Sequence, residues 1–343
     1  MTRALTVSID AMGGDAGPGI VVAALLKTVQ RHANVDFILH GDEAELTALI
    51  ARHARLKPRV VIRHAPARVS MEDKPSHVLR RGKDTSMWRA VDCVKQGDAQ
   101  VAVSAGNTGA LMAVSMFGLG IIEGISRPAI TTIWPTLKGQ VVVLDCGANV
   151  TATDEQLVDF AVMGAAFAQV ILGLDRPTVG LLNVGAEEQK GNDAVKGAAA
   201  ILRQSNLPMA FHGFVEGDDI TKGTVDVVVT DGFTGNIALK TAEGTAKLVS
   251  SYLRQALKRS LLGQIGAILA SGPLNTLRRK LDPRASNGGI FLGLNGVVVK
   301  SHGGTDAVGF ASALDMAIDM AKADINNRIT AARGGVVISA GAA

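Results

Sequence analysis

Nine residues able to handle an anion fall into five short glycine-bearing turns of the 343-residue chain. Asp10 and Asp15 lie with Gly13 and Gly14 in SIDAMGGDAGP (8–18), and Asn107 lies with Gly106 and Gly109 in SAGNTGA (104–110). Asp145 and Asn149 belong to LDCGAN (144–149), and Asn183 and Lys190 to LLNVGAEEQKG (181–191). Asp231 and Asn236 bracket Gly232 and Gly235 in VVTDGFTGN (228–236). Neutral amide donors, backbone N–H groups freed by glycine and one lysine suit an oxyanion such as phosphate. The alternative for each asparagine taken singly is a helix cap or an Asx turn. Lys300 and His302, at a late strand end, join the candidates.

Each turn follows a β-branched run and precedes a segment with helical apolar spacing, the pattern of βα units wound around a parallel sheet. Strands are expected at Leu5–Asp10, Asp36–His40, Arg59–Arg63, Gln100–Ser104, Ile130–Trp134, Val141–Asp145, Thr178–Asn183, Val225–Thr230 and near Val297–Lys300. Helices are expected at Pro18–Arg31, Pro75–Gln96, Asn107–Phe117, Asp154–Leu172, Asn192–Arg203, Gly235–Leu253 and Thr305–Ile329. Ligands of such sheets bind beyond the carboxyl ends of the strands, so all five turns are expected along one edge. Residues 1–330 read as one compact unit, with two lobes possible at this length, and 331–343 as a loose tail.

Several function classes lose their support. There is no Walker A loop, G-x-G-x-x-G fingerprint, G-x-S-x-G elbow or H-E-x-x-H pair. Only 3% of residues are aromatic and the net charge is +4, which leaves little for stacking or wrapping nucleic acid. The histidines lack metal-ligand spacing, so no metal site is assigned. Cys93 and Cys146 form no disulfide framework, and the first ten residues read as a strand rather than a cleavable leader, so the cytoplasm is the expected compartment. Cys93, Trp88 and Trp134 read as fillers. Cys146, at a strand end, offers a rival route in which a thiolate is the nucleophile.

The stretch 253–281 departs from the alternation. Leu261, Leu262, Ile265, Ile268 and Leu269 gather between flanks carrying Arg254, Lys258, Arg259, Arg278, Arg279 and Lys280. An amphipathic helix pair of this kind suits an anionic membrane surface, or a dimer or core contact with solvated basic flanks. The bases here, or Arg80, Arg81, Lys83 and Arg89, would also suit an acidic protein partner.

SIDAMGGDAGP (8–18), KPSHVLRRGKDTSM (74–87), AVSAGNTGALMA (102–113), LDCGAN (144–149), LLNVGAEEQKGND (181–193), VDVVVTDGFTGNIALKTAEG (225–244) and LGLNGVVVKSHGG (292–304) together resemble the signature blocks of the PlsX family of fatty acyl-acyl carrier protein:phosphate acyltransferases. They occur in the family's order along nearly the whole chain. Ala16 departs from the family's usual histidine, and Gly303 and Gly304 from its small hydroxyl residues. The resemblance implies a three-layer α/β/α sandwich with a mostly parallel sheet, like that of isocitrate and isopropylmalate dehydrogenases, with the helix pair protruding. It implies acyl carrier protein and inorganic phosphate as substrates, no cofactor, a homodimer, and peripheral contact with the inner face of the cell membrane and with a downstream glycerol-3-phosphate acyltransferase. In that setting Lys190 is expected to meet phosphate or the oxyanion and Asn236, with the Gly232–Gly235 turn, to donate to the reacting carbonyl. Asp231 would orient them, and Asn107 with Gly106 and Gly109 would form a second anion nest.

Overall fold

A computed structural model describes residues 5–280 and 288–334. Eleven strands form one sheet: β1 (Leu5–Asp10), β2 (Val35–Gly41), β3 (Val60–His64), β4 (Val101–Ser104), β5 (Ala129–Thr136), β6 (Gly139–Leu144), β7 (Thr178–Leu182), β8 (Ala210–Val215), β9 (Val227–Val229), β10 (Gly289–Leu292) and β11 (Val297–Lys300). Their order is β3-β2-β1-β4-β11-β10-β5-β6-β9-β7-β8.

Helices cover both faces, as strands apolar on both sides require. Against one face pack α1 (Pro18–Arg31), α2 (Glu43–Ala51), α6 (Asp154–Ile171), α7 (Asp193–Gln204), α12 (Ala307–Lys322) and α13 (Ile325–Arg333). Against the other pack α3 (Pro75–Arg81), α4 (Ser86–Lys95), α5 (Thr108–Leu119), α8 (Gly217–Lys222) and the first turns of α9 (Gly232–Lys258). Beyond them come α10 (Leu261–Leu269) and α11 (Ser271–Lys280).

The expected helix Pro75–Gln96 is two helices: the chain turns at Gly82, and Thr85 caps α4 by accepting from the Trp88 N–H. The expected Thr305–Ile329 likewise divides into α12 and α13 at Asp324, whose φ is 53°. β8 and β10, unforeseen, are short runs of 6 and 4 residues. Of the expected tail, 331–333 continue α13, while 335–343 lie outside the described residues. Residue 281 and the side chains of 277–280 in the basic stretch lie outside them too.

One expectation fails. β1 to β4 and β11 are parallel, but β10 runs against both β11 and β5, and β6 runs against β5. β9, β7 and β8 then follow β6. The turns after β1, β4 and β11 therefore leave one edge of the sheet, and those after β6, β7 and β9 leave the opposite edge. The reversal comes from the tight β5–β6 hairpin, which sends the chain straight back.

The offset between the edges is nonetheless small. Val299 pairs with Ile290, Ile290 with Thr131 and Thr131 with Leu144, so the last residue of β6 is level with the penultimate residue of β11. That is one residue, about 3.3 Å, from Lys300 along the strand direction.

α9 crosses between the two edges. Asp231 caps it, accepting from Thr234 N–H at 2.8 Å, and Gly232 N–H donates to the Asn149 carbonyl at 2.7 Å. Gly235 sits so close to the Asp145 carbonyl that a Cβ would overlap it. Gly235→Ala should therefore shift α9 or lower stability by about 1–3 kcal/mol, read as the midpoint of urea unfolding.

Candidate functional site

Two buried carboxylates organise the two edges. Asp10, at the end of β1, accepts from Ser104 Oγ at 2.7 Å and from Met12 N–H at 3.3 Å. Burial pushes its pKa up against those donors. Gly13 and Gly106 pack directly on it: a Cβ on Gly13 would lie 2.5 Å from Asp10 Oδ2 and 2.8 Å from the Gly106 nitrogen. Gly14, at φ 89°, brings the same loop against Ala105 and the Gly303 carbonyl, to which Asp15 N–H donates at 3.0 Å. Three loops, after β1, β4 and β11, thus meet backbone to backbone.

Into their junction projects Lys300, only 8% exposed. Its ammonium donates to the Ala105 carbonyl at 3.3 Å and to the Ser301 carbonyl. Burial lowers its pKa to about 8, with Asp10 and Asp15 opposing the shift. His302 follows at the exposed mouth, where desolvation first and the nearby Lys240 ammonium second hold its pKa down.

Asp145 does the corresponding work after β6. Its Oδ1 accepts the N–H groups of Ile130 (2.9 Å), Gly147 (3.1 Å) and Ala148 (3.0 Å), and its Oδ2 those of Asn149 from backbone (2.6 Å) and side chain (2.9 Å). Burial raises its pKa despite these donors. The turn so fixed holds Gly147 against α9: a Cβ there would sit 3.5 Å from the Asn236 Cβ.

Helix α9 joins the two halves of the site. Asn236 lies against Gly147, and Lys240, one turn on, is near enough for its charge to act on Lys300 and His302. Four residues give about 6 Å of rise, so α9 carries one side chain packed at the β6 turn and another whose charge reaches the end of β11. Lys240 is paired with Glu243 at 3.0 Å.

The expected residues divide accordingly. Gly13, Gly14, Asp15, Gly106, Lys300 and His302 come together, while Gly232 and Gly235 press on the Asp145 turn and Asn236 lies against Gly147. Asn107 caps α5, accepting from Ala110 N–H at 3.0 Å, and its amide donates to the Met71 (2.8 Å) and Asp73 (3.1 Å) carbonyls. It ties a neighbouring loop in place beside Gly109 rather than offering a free donor. Asn149 donates to the Pro128 carbonyl and to Asp145, and Asp231 serves as the α9 cap. Asn183 donates to the Lys190 carbonyl within its own loop. Lys190 is exposed and paired with Glu187 at 2.8 Å, a bond that raises its pKa.

Cys146 is buried, donates to the Val143 carbonyl and lies 3.2 Å from Thr132 Oγ1; burial pushes its thiol up to about 12. Burial of this kind disfavours the thiolate that the covalent route requires. Cys93, Trp88 and Trp134 are core residues. Among the described residues no three His, Cys, Asp or Glu side chains gather as a metal site would need.

Sequence reasoning passed over Lys240, which lies a helical turn beyond the last glycine of its motif. Its only signal was the i, i+4 spacing from Asn236, which places both on one side of a helix.

The geometry has counterparts. A model of the family described as fatty acid synthesis protein matches residues 5–328. A protein of Parvibaculum lavamentivorans named phosphate acyltransferase is 56% identical over 330 residues, covering 96% of this chain and 91% of the relative. A Xanthobacter autotrophicus protein of the same name is also 56% identical, over 96% and 93%. A phosphotransacetylase from Streptococcus pyogenes superposes with a TM-score of 0.63 at 17% identity, covering 94% of this chain and 95% of that one. These likenesses accord with the expected dehydrogenase-like three-layer fold.

Asp145→Ala would strand four backbone N–H groups at the base of the site. It should cost about 3 kcal/mol or more in urea unfolding, whereas Cys146→Ala should cost far less.

Proposed function

The chain belongs to the fatty acid synthesis protein family and is an acyltransferase of the phosphate acyltransferase kind, and we propose that it moves a long-chain fatty acyl group from acyl carrier protein to inorganic phosphate, giving acyl phosphate for phosphatidic acid synthesis. The observation that carries this reading is the buried Lys300 ammonium at the junction of three glycine-lined loops, within electrostatic reach of Lys240 on α9.

Phosphate is the nucleophile. An oxygen of phosphate attacks the thioester carbonyl, negative charge develops on that carbonyl oxygen, and the carrier thiolate leaves as the carbon–sulfur bond breaks. The difficulty is to hold an anion beside a second developing anion, which fixed donors relieve without reorganising. Lys300 with the loops of Gly14 and Gly106 seats phosphate, Asn236 reaches the carbonyl from the other edge, and His302 and Lys240 close the mouth. Lys190, exposed and paired with Glu187, serves the carrier or its arm rather than the reacting atoms.

The protruding helices support peripheral membrane contact. Leu261 (78% exposed), Leu262 (81%), Ile265, Ile268 and Leu269 all face outward from α10, and no described helix is long and apolar enough to cross a bilayer. Leu248, Val249, Tyr252 and Leu253, exposed on α9, suit pairing with a second copy, which would bring two such tips to one surface.

Two outcomes test the reading. Lys300→Met should lower kcat/KM for phosphate roughly 100-fold in an assay of acyl phosphate from acyl carrier thioesters. In wild type KM for phosphate should climb as pH rises through about 8, where the ammonium is lost; Lys300→Arg, which stays charged, should move that climb upward. Unchanged kinetics in Lys300→Met would sink the site. For the tip, Leu261→Glu with Ile265→Glu should abolish flotation with anionic vesicles while leaving turnover of soluble substrate intact.

A further inference from the structure

Two clusters of basic residues differ in their surroundings. Around the protruding tip, Arg254, Lys258 and Arg259 stand beside exposed leucines and isoleucines. The other set lies between residues 68 and 89, where six basic and three acidic residues account for three of the chain's four net positive charges. Here the short helix α3 turns Val78 and Leu79 into the core and packs Pro75 against Gly109. His77, Arg80 and Arg81 are left on its outer side.

Arg68, Lys74, Arg80, Arg81 and Lys83 are all exposed, and none has a salt-bridge partner among the described residues. Arg89 alone is paired, with Asp84 at 2.9 Å. Five exposed bases within sixteen residues, against Glu72 and Asp73, leave an excess of like charge whose repulsion an acidic partner would relieve.

The patch is fixed to the site. The loop leading into α3 gives the Ser70, Met71 and Asp73 carbonyls to the Asn107 amide, and so is pinned to the start of α5. Met71 lies against Gly303: a Cβ on that glycine would be 3.2 Å from the Met71 methyl. The basic face therefore begins at the rim of the junction that holds Lys300.

Resting on the reading above, we propose that this α3 face, centred on Arg80, Arg81 and Lys83, is where the acidic acyl carrier docks to pass its thioester arm over Met71 into the site. A membrane surface fits less well. Interfacial binding needs apolar side chains beside the bases, which the tip has and the α3 face lacks, Met71 being its one large exposed apolar residue. A purely charged, solvated face suits reversible protein docking, where charge steers encounter and sets salt dependence.

The test is Arg80→Glu with Arg81→Glu and Lys83→Glu in the full chain, with folding checked by thermal unfolding. KM for acyl carrier thioester should rise at least 10-fold, and the salt dependence of kcat/KM should flatten. Turnover at saturating carrier, KM for phosphate, turnover of the same acyl group on coenzyme A and flotation with anionic vesicles should stay within about twofold of wild type. Arg254→Glu with Lys258→Glu should show the converse, weakened flotation with KM for the carrier unchanged. An unchanged KM for carrier in the α3 variant, or a loss of flotation instead, overturns the assignment. Absence of any carrier-dependent turnover in wild type would instead overturn the underlying reaction.

Discussion

A sheet that reverses strand direction at its middle cannot place all its ligand-binding turns on one edge, and every feature of this site answers to that constraint. The β5–β6 hairpin sets the reversal, and pairing through β10 limits the offset between the edges to one residue. α9 then supplies the link that the strands cannot. It begins at the β6 turn, with its glycines pressed on Asp145 and Asn149, and four residues past Asn236 presents Lys240, whose charge reaches the end of β11.

Each edge is fixed from within by a carboxylate that solvent does not reach. Asp145 gathers five donors and Asp10 is held by serine and backbone donors, so short side chains and backbone alone fix the turns around them. What remains accessible is mostly backbone and glycine. In such surroundings a single buried ammonium is poorly solvated and incompletely neutralised, which makes Lys300 receptive to a small anion and lowers its proton affinity when none is bound.

Much of this was legible in the residues, and the failures have physical causes. The α/β alternation, the glycine turns and the outward leucines of α10 all follow from local periodicity and chemistry, which a sequence carries directly. Strand direction is different: whether a short apolar run after a hairpin continues a parallel set or starts an opposed one depends on pairing between residues such as Thr131 and Leu144, far from any local signal. β10 escaped notice because four residues make no pattern. Among the asparagines, Asn107 and Asn149 fasten loops while Asn236 packs against Gly147 on α9, since capping and ligand binding ask for the same side chain. Lys190 drew attention as a lysine in a glycine turn, but a carboxylate three residues away in the same loop claims it, whereas Lys300, on an otherwise apolar strand, had no such neighbour in sequence.

The 27-residue length of α9 has a mechanical side. Seated at Gly235, where the Asp145 carbonyl leaves no clearance, and packed on the sheet through Ala238, Leu239 and Ala242, the helix is a rod clamped at one end, with Lys240 inside the clamp. Its last turn stands about 24 Å beyond Ala242, counting 1.5 Å per residue. The exposed apolar tip is thus held at arm's length from the anion-handling loops on a single unbroken strut.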